Sequence, residues 1–181
     1  MAWQIDPAHS QITFSVRHMM MTYVHGNFEK FSGSIEFDEK NLAKSEIDVT
    51  IDPASLNTHD ERRDNHLRSP EFFDVAQFPT VAFKSKSVAL SDHNKGLVTG
   101  DLTIKGITHE VVLETELLGI LKNPFRGTTA GFNAHARLNR KDWGLNWNVA
   151  LEAGGWLVGD DITLNLQVEL IPSPEEASIT A

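Results

Sequence analysis

Two short stretches concentrate arginine and histidine: Arg17-His18, and then Arg62, Arg63, His66 and Arg68. The chain carries 16 basic against 25 acidic residues, a formal net charge of -9, so these stretches are a local reversal of sign. Guanidinium and imidazole groups together suit an anionic head group such as phosphate or carboxylate, because the arginine fork donates two parallel hydrogen bonds. The competing reading is scaffold, with Arg63 and Asp64 in a salt-bridge network that anchors their element. Residue type also leaves room for an enzyme, an isomerase or hydrolase using His18 or His66 as general base.

Covalent and metal chemistry leave fewer traces. The sequence has no G-x-S-x-G elbow and no G-x-x-x-x-G-K-[ST] phosphate loop, and where His109-Glu110 opens an H-E-x-x-H motif, Leu113 stands at the second histidine position. Gly154-Gly155 with Gly159 makes no dinucleotide fingerprint and reads as a loop before the last strand. Asp160 and Asp161 are adjacent at a strand start, so they point apart and cannot act jointly on one bond. There is no cysteine, which removes disulfides, thiolate metal sites and thiol nucleophiles, and the eight histidines form no short ligand pair. No catalytic residue, metal or cofactor is therefore assigned. The negative net charge would repel a phosphate backbone, so nucleic acid is not expected as a partner.

The elements that must position the basic side chains are short strands. In Gln11 to His18, Ile12, Phe14, Val16 and His18 share one face while Arg17 falls on the other at the rim. The same period of two returns at Phe31 to Phe37, Ile47 to Ile51, Val98 to Ile104, Ala130 to Leu138 and Ile162 to Leu170. One apolar and one wet face per strand argue for an antiparallel rather than a parallel sheet. Turn signals between the segments give about eight strands, a number that closes a barrel able to hold side chains or one ligand. The expected fold is thus mainly β, an extended antiparallel barrel interrupted once by a short polar helix over Thr58 to Ser69. There, Thr58 and Glu61 resemble a capping box, and Leu67 is the only large apolar side chain, so the helix should lie across one barrel end. The run Met19-Met20-Met21 breaks the strand period and suggests a short helical turn over Met19 to Tyr23.

Residues on the presumed inward faces would line an apolar tunnel: Phe14, Val16, Phe31, Phe37, Phe83, Leu102, Ile104, Phe132 and Ala134. The small residues Ala130, Ala134 and Ala136 either reserve volume for a ligand or fit the barrel taper. Trp143 and Trp147 either join the tunnel wall or plug one barrel end. The head-group set would be Arg17, His18, Arg63 and His66. One domain over residues 1–171 is expected, with a mobile tail at 172–181 opened by Pro172-Ser173-Pro174. The first residues form neither a basic n-region nor an apolar h-region, and no stretch reaches membrane-span length. A cytoplasmic protein, not integral to a membrane, is the expectation, exported only if the native start has been trimmed.

Several stretches resemble the YceI-like family of polyisoprenoid-binding proteins. They are Trp3 to Ser10, Phe14 to Met19, Arg63 to Asp74, Gly100 to Thr108, Gly131-Phe132 and Leu138 to Gly144, which fall in the right order from Trp3 to Leu170. The resemblance implies a lipocalin-like barrel enclosing a long isoprenoid or other amphiphilic lipid, head group near the mouth, and a possible homodimer. It implies a non-enzymatic protein that binds, sequesters or carries a polyprenyl phosphate, polyprenyl diphosphate or isoprenoid quinone. The alternatives are the enzyme named above and a stress-related interaction protein whose cavity is incidental.

Overall fold

The period of two becomes eleven strands of a single antiparallel sheet. The computed structural model describes residues 2–37 and 41–174. Its strands are β1 (Ala2–Ile5), β2 (Gln11–His18), β3 (Thr22–Phe28), β4 (Phe31–Glu36), β5 (Glu46–Ile51), β6 (Leu56–Asn57), β7 (Val81–Leu90), β8 (Lys95–Ile104), β9 (Ile107–Asn123), β10 (Gly127–Asn139) and β11 (Val158–Pro172). The helix α1 (Glu61–Arg68) stands between β6 and β7.

Three strand positions are each shared by two strands. β1 and β2 both pair with β11, one at each of its ends, so they form one line broken at Asp6-Pro7. Pro7 has no N–H to give to a ladder, which suits a break. β3 and β4 likewise run on from one another, as do β5 and β6 across the short 3-10 turn Pro53–Ser55. Eleven strands thereby fill eight positions, and the β1–β11 pairing closes them into a barrel with no free edge along most of its height. At the α1 end β3 has only the two residues of β6 as outer neighbour, and α1 covers that opening.

Two local expectations are corrected. Asp60, not Thr58, caps α1: its backbone is extended and its carboxylate accepts from the Arg63 N–H at 3.0 Å. The Met19 to Tyr23 stretch is not helical: Met19 to Met21 make the turn of the β2–β3 hairpin, and Thr22 and Tyr23 begin β3. Met19 and Met20 take φ of 50° and 59°, and the Met21 N–H donates to the His18 carbonyl at 3.0 Å. The expected helix at the barrel end is otherwise present, shortened to Glu61–Arg68. At the C-terminus β11 continues through Pro172, which pairs with Trp3, and the Ser173 N–H donates to the Ala2 carbonyl. Of the tail expected at 172–181, residues 175–181 lie outside the described residues, as does most of the turn at Asp38 to Asn41.

The core lies against the barrel wall in three clusters rather than along its axis. One gathers Val81, Phe83, Val98, Leu102, Val111 and Trp143. Another gathers Trp3, Ile5, Ile35, Ala130 and Leu170 at the opposite end, and a third packs Ile12, Phe28 and Leu56 beneath α1. Among the described residues no helix is long and apolar enough to cross a membrane.

Candidate functional site

The inward side chains do not fill the barrel. A cavity of about 1110 Å³ runs between the ends, from His18 and Arg62 at the α1 end to His93, Lys95 and Ile120 at the other. Pockets for small organic ligands are roughly 300 to 1,000 Å³. This one is at or above that range, and its length follows the strands.

Every residue placed in the tunnel from sequence lines this cavity. Phe14 and Val16 project from β2, Phe31 from β4, Phe83 from β7, Leu102 and Ile104 from β8, Phe132 and Ala134 from β10, and Phe37 follows β4. Two of the rings have room because a glycine lies under them. A Cβ at Gly26 would meet the Phe14 ring at 2.4 Å, and one at Gly100 would meet the Phe83 ring at 2.5 Å. Ala130 and Ala134 line the space, whereas Ala136 is buried in the wall. Trp143 is both wall and core: it is 2% exposed, its indole N–H donates to the Leu102 carbonyl at 2.9 Å, and its ring meets His109 edge-on. Trp147 belongs instead to the mouth, T-shaped against His66 at 4.6 Å and tilted on Phe72 at 5.6 Å.

The basic residues gather at the α1 end, but they are not equivalent. Arg63 donates from Nε to the Thr58 hydroxyl and from Nη2 to the Thr58 carbonyl, each at 2.7 Å. Thr58 in turn donates its N–H and hydroxyl to the buried carboxylate of Asp64. Arg63 and Asp64 therefore do belong to one anchoring network, joined through Thr58. Arg68 donates to the carbonyls of Ala54 and Leu56 and ties α1 to the β5–β6 turn. His66 Nε2 bonds the Glu71 carboxylate between two aromatic rings. Arg17, on the outer face, lays its guanidinium over the Tyr23 ring at 5.3 Å and donates weakly to its hydroxyl. His18 and Arg62 also line the cavity, and among the described residues their side chains enter no hydrogen bond or ion pair.

Sequence reasoning missed the residue that holds the mouth together. Arg140, 3% exposed, opens a short 3-10 turn (Arg140–Trp143) capped by Asn139 and donates to the carbonyls of Gly159, Leu145 and Trp147. Burial pushes its guanidinium below the ordinary arginine range, and Asp160, 3.8 Å away, works against that shift. It pins the segment 145–157, which carries Trp147 and Leu157 to the cavity. Nothing in local hydropathy marks a buried arginine; only its place inside the quoted Leu138 to Gly144 stretch set it apart. The opposite rim, with His93, Asn94 and Lys95 beside Leu90, Leu117 and Ile120, was also not foreseen.

Among the described residues one set of metal-type ligands lies away from the cavity. Asp6, His9 and Glu169 bring their ligand atoms within 4.8 Å of one another. The Arg126 guanidinium already bonds Asp6 there and comes to 3.3 Å of His9, so a cation holds the position. Burial raises the Asp6 carboxyl, but the hydrogen bonds from His9 and Ala8 and the charges of Arg126 and His9 more than offset this and hold it below its usual value.

Comparison with known proteins bears on the whole barrel. Residues 3–170 match the YceI-like domain. A UPF0312 protein of Staphylococcus aureus strain N315 is 40% identical over 165 residues, covering 91% of this chain and 94% of the relative. Among solved structures, the Campylobacter jejuni YceI protein superposes with a TM-score of 0.73 at 34% identity, over 87% of this chain and 90% of that one. Burkholderia cenocepacia BcnA gives a TM-score of 0.77 at 25% identity, over 91% and 98%. A polyisoprenoid binding domain from Saccharophagus degradans, 14% identical, shares the fold with a TM-score of 0.68 over 94% and 98%.

Proposed function

The chain belongs to the YceI-like family, and on that footing we propose that its barrel binds, carries or sequesters a long-chain isoprenoid or similar amphiphilic lipid. The observation that carries this reading is the cavity of about 1110 Å³, walled along its length by Phe14, Phe83, Leu102, Phe132 and their apolar neighbours. A tail gains about 0.8 kcal/mol for each methylene taken from water, so such a tunnel holds a long chain without elaborate polar recognition. Smooth walls select girth and length more than chemical identity. The Saccharophagus degradans domain of the same fold, described as polyisoprenoid binding, favours a polyprenyl tail over a straight acyl chain.

The head group sits at the α1 end, where Arg17, His18, Arg63 and His66 were expected to receive it. The pairing found there divides their roles. Arg63 and His66 fix α1 and Trp147, leaving His18, together with Arg62, to meet an anionic head of a polyprenyl phosphate or diphosphate. An isoprenoid quinone would fill the same tunnel and use these donors less. Extraction of the purified protein with organic solvent, followed by mass spectrometry, tests the reading. A stoichiometric isoprenoid lipid is expected, its mass separating phosphate from quinone. Protein that yields no lipid and takes up no added polyprenol would overturn it.

One observation favours a second reading, an enzyme acting on such a lipid: the His66–Glu71 pair at the cavity mouth has the form of a base oriented by a carboxylate. In that case His66→Gln would abolish turnover of a bound isoprenoid and leave its affinity intact. For a carrier the same change has no turnover to remove.

A further inference from the structure

We propose that the α1 end of the barrel docks on a lipid bilayer through the β2–β3 hairpin tip and the neighbouring loop, so that a lipid passes between bilayer and cavity without crossing water. The proposal rests on the lipid-binding reading and adds the partner surface.

The hairpin tip breaks two rules at once. Met19 to Met21 link the paired residues His18 and Thr22, and a β-turn whose two central residues both lie at positive φ is normally built from Asn-Gly or similar pairs, because a Cβ is crowded there. Here the positions are Met19 and Met20, at φ of 50° and 59°. The side chains that incur this strain are not buried in return: Met19 is 40% and Met20 60% exposed, and Met21 beside them 67%. Methionines do not favour left-handed backbone, and the exposed parts of these side chains gain nothing from the fold, so strain combined with exposure points to an external contact.

The tip is one part of a continuous apolar rim. The Met19 N–H donates to the Leu157 carbonyl at 2.8 Å, and Met20 lies so close over Gly155 that a Cβ there would meet its sulfur at 2.1 Å. The loop so joined exposes Val149 and Trp156, and Tyr23 stands beside the tip on β3. Exposed thioethers with a Trp and a Tyr are the side chains that settle at a membrane interface, where one end of the group is apolar and the other wet.

Two observations select a bilayer as occupant. The rim is continuous with the cavity, since His18 next to the tip and Leu157 in the loop both line it. Arg17 and Arg62 flank the same mouth and enter no ion pair among the described residues, which leaves their charges for lipid phosphates. With a net charge of -9 the whole molecule is not drawn to anionic surfaces, so the contact is mainly apolar and holds in added salt.

The test uses the full chain freed of lipid, floated with phosphatidylcholine vesicles, beside the variant Met19→Asn, Met20→Gly, Met21→Ser. Asn-Gly suits the turn, so the variant should melt no lower than the unaltered protein, while its vesicle affinity falls about a hundredfold as three thioethers leave the contact. Both proteins should take up detergent-dispersed geranylgeraniol equally. Failure of the unaltered protein to float, equal flotation of the variant, or a dimer in solution that the variant dissociates with no vesicle binding by either would each overturn the docking. No uptake of geranylgeraniol by the unaltered protein would overturn the lipid-binding reading itself; normal uptake without flotation overturns the docking alone.

Discussion

The two ends of the cavity are built on different principles. At the α1 end a connected set of polar groups is matched, Arg63 to Thr58, Thr58 to Asp64, Arg68 to two carbonyls and Arg140 to those of Gly159, Leu145 and Trp147, and among the described residues His18 and Arg62 are left over. At the opposite end Leu90, Leu117 and Ile120 share the rim with His93, Asn94 and Lys95, and the β9–β10 hairpin runs on past it with Leu118, Leu121 and Phe125 exposed. Directional bonds fix positions to within tenths of an ångström, whereas exposed apolar groups fix very little. The first end can therefore hold a head group in one place, and the second can accommodate tails of several lengths.

Breaking the matched end should have the largest effect. Arg140→Met leaves the carbonyls of Gly159, Leu145 and Trp147 without a donor, at about 3 kcal/mol or more of stability in urea unfolding. The loop carrying Trp147 should then exchange its amides faster than the barrel strands. A loss below about 1 kcal/mol would mean that water replaces the guanidinium and that the end is not held as described.

The middle of the cavity comes next. Ala134→Trp places an indole in the tunnel beneath Leu166, its neighbour on β11. Calorimetric titration should find uptake of a long polyprenol abolished and that of a short one retained, at about 1 to 3 kcal/mol of stability from overpacking. Undiminished binding of the long chain would place the tail elsewhere.

A third change sharpens the division of labour among the arginines. Arg62→Ala should weaken a polyprenyl phosphate by about 1.5 to 3 kcal/mol, spare the alcohol of the same tail, and leave the melting temperature unchanged. Arg63→Ala should weaken both ligands alike and lower the melting temperature, since its guanidinium is spent on Thr58. The reverse pattern would exchange their roles.

Smaller effects are expected at the far end. The folded Asp6 carboxyl lies below its unfolded value, so its contribution is full above about pH 4 and is lost as the pH falls through the folded value. Asp6→Asn should flatten the acid limb of a stability-against-pH curve and leave neutral-pH lipid uptake unchanged. Smallest of all is Phe125→Ser at the hairpin tip, where the ring is 92% exposed; stability should move by no more than about 0.5 kcal/mol.

The inward faces were legible because strand alternation is local: once Ile12 points in, Phe14, Val16 and His18 must follow. The same logic failed at Leu117-Leu118 on β9, where a bulge opposite Gly131 and Phe132 shifts the register and hides the alternation. It also failed at the Met19 tip, where apolar residues at a turn imitate a helix. Thr58 looked like a cap because its spacing to Glu61 was right, yet Asp60 had the extended backbone and took the role.

Residue order by itself thus determined a mainly β barrel of about eight positions, its apolar interior and the clustering of basic groups near one helix, since period and composition are properties of neighbouring residues. Tertiary structure alone decided three things. Closure came from β1 meeting β11 across nearly the whole chain. Hollowness came from small residues on different strands: Ala130 and Ala134 line the space, and Gly26 and Gly100 let the rings of Phe14 and Phe83 lie back against the wall. The sorting of the cations came from distant partners: Arg63 and Arg140 are used up by backbone and hydroxyl acceptors that fold back to them, and Arg62 is left facing the cavity. A charge is free for a ligand only when nothing else reaches it, and what reaches it is set by contacts that no local pattern records.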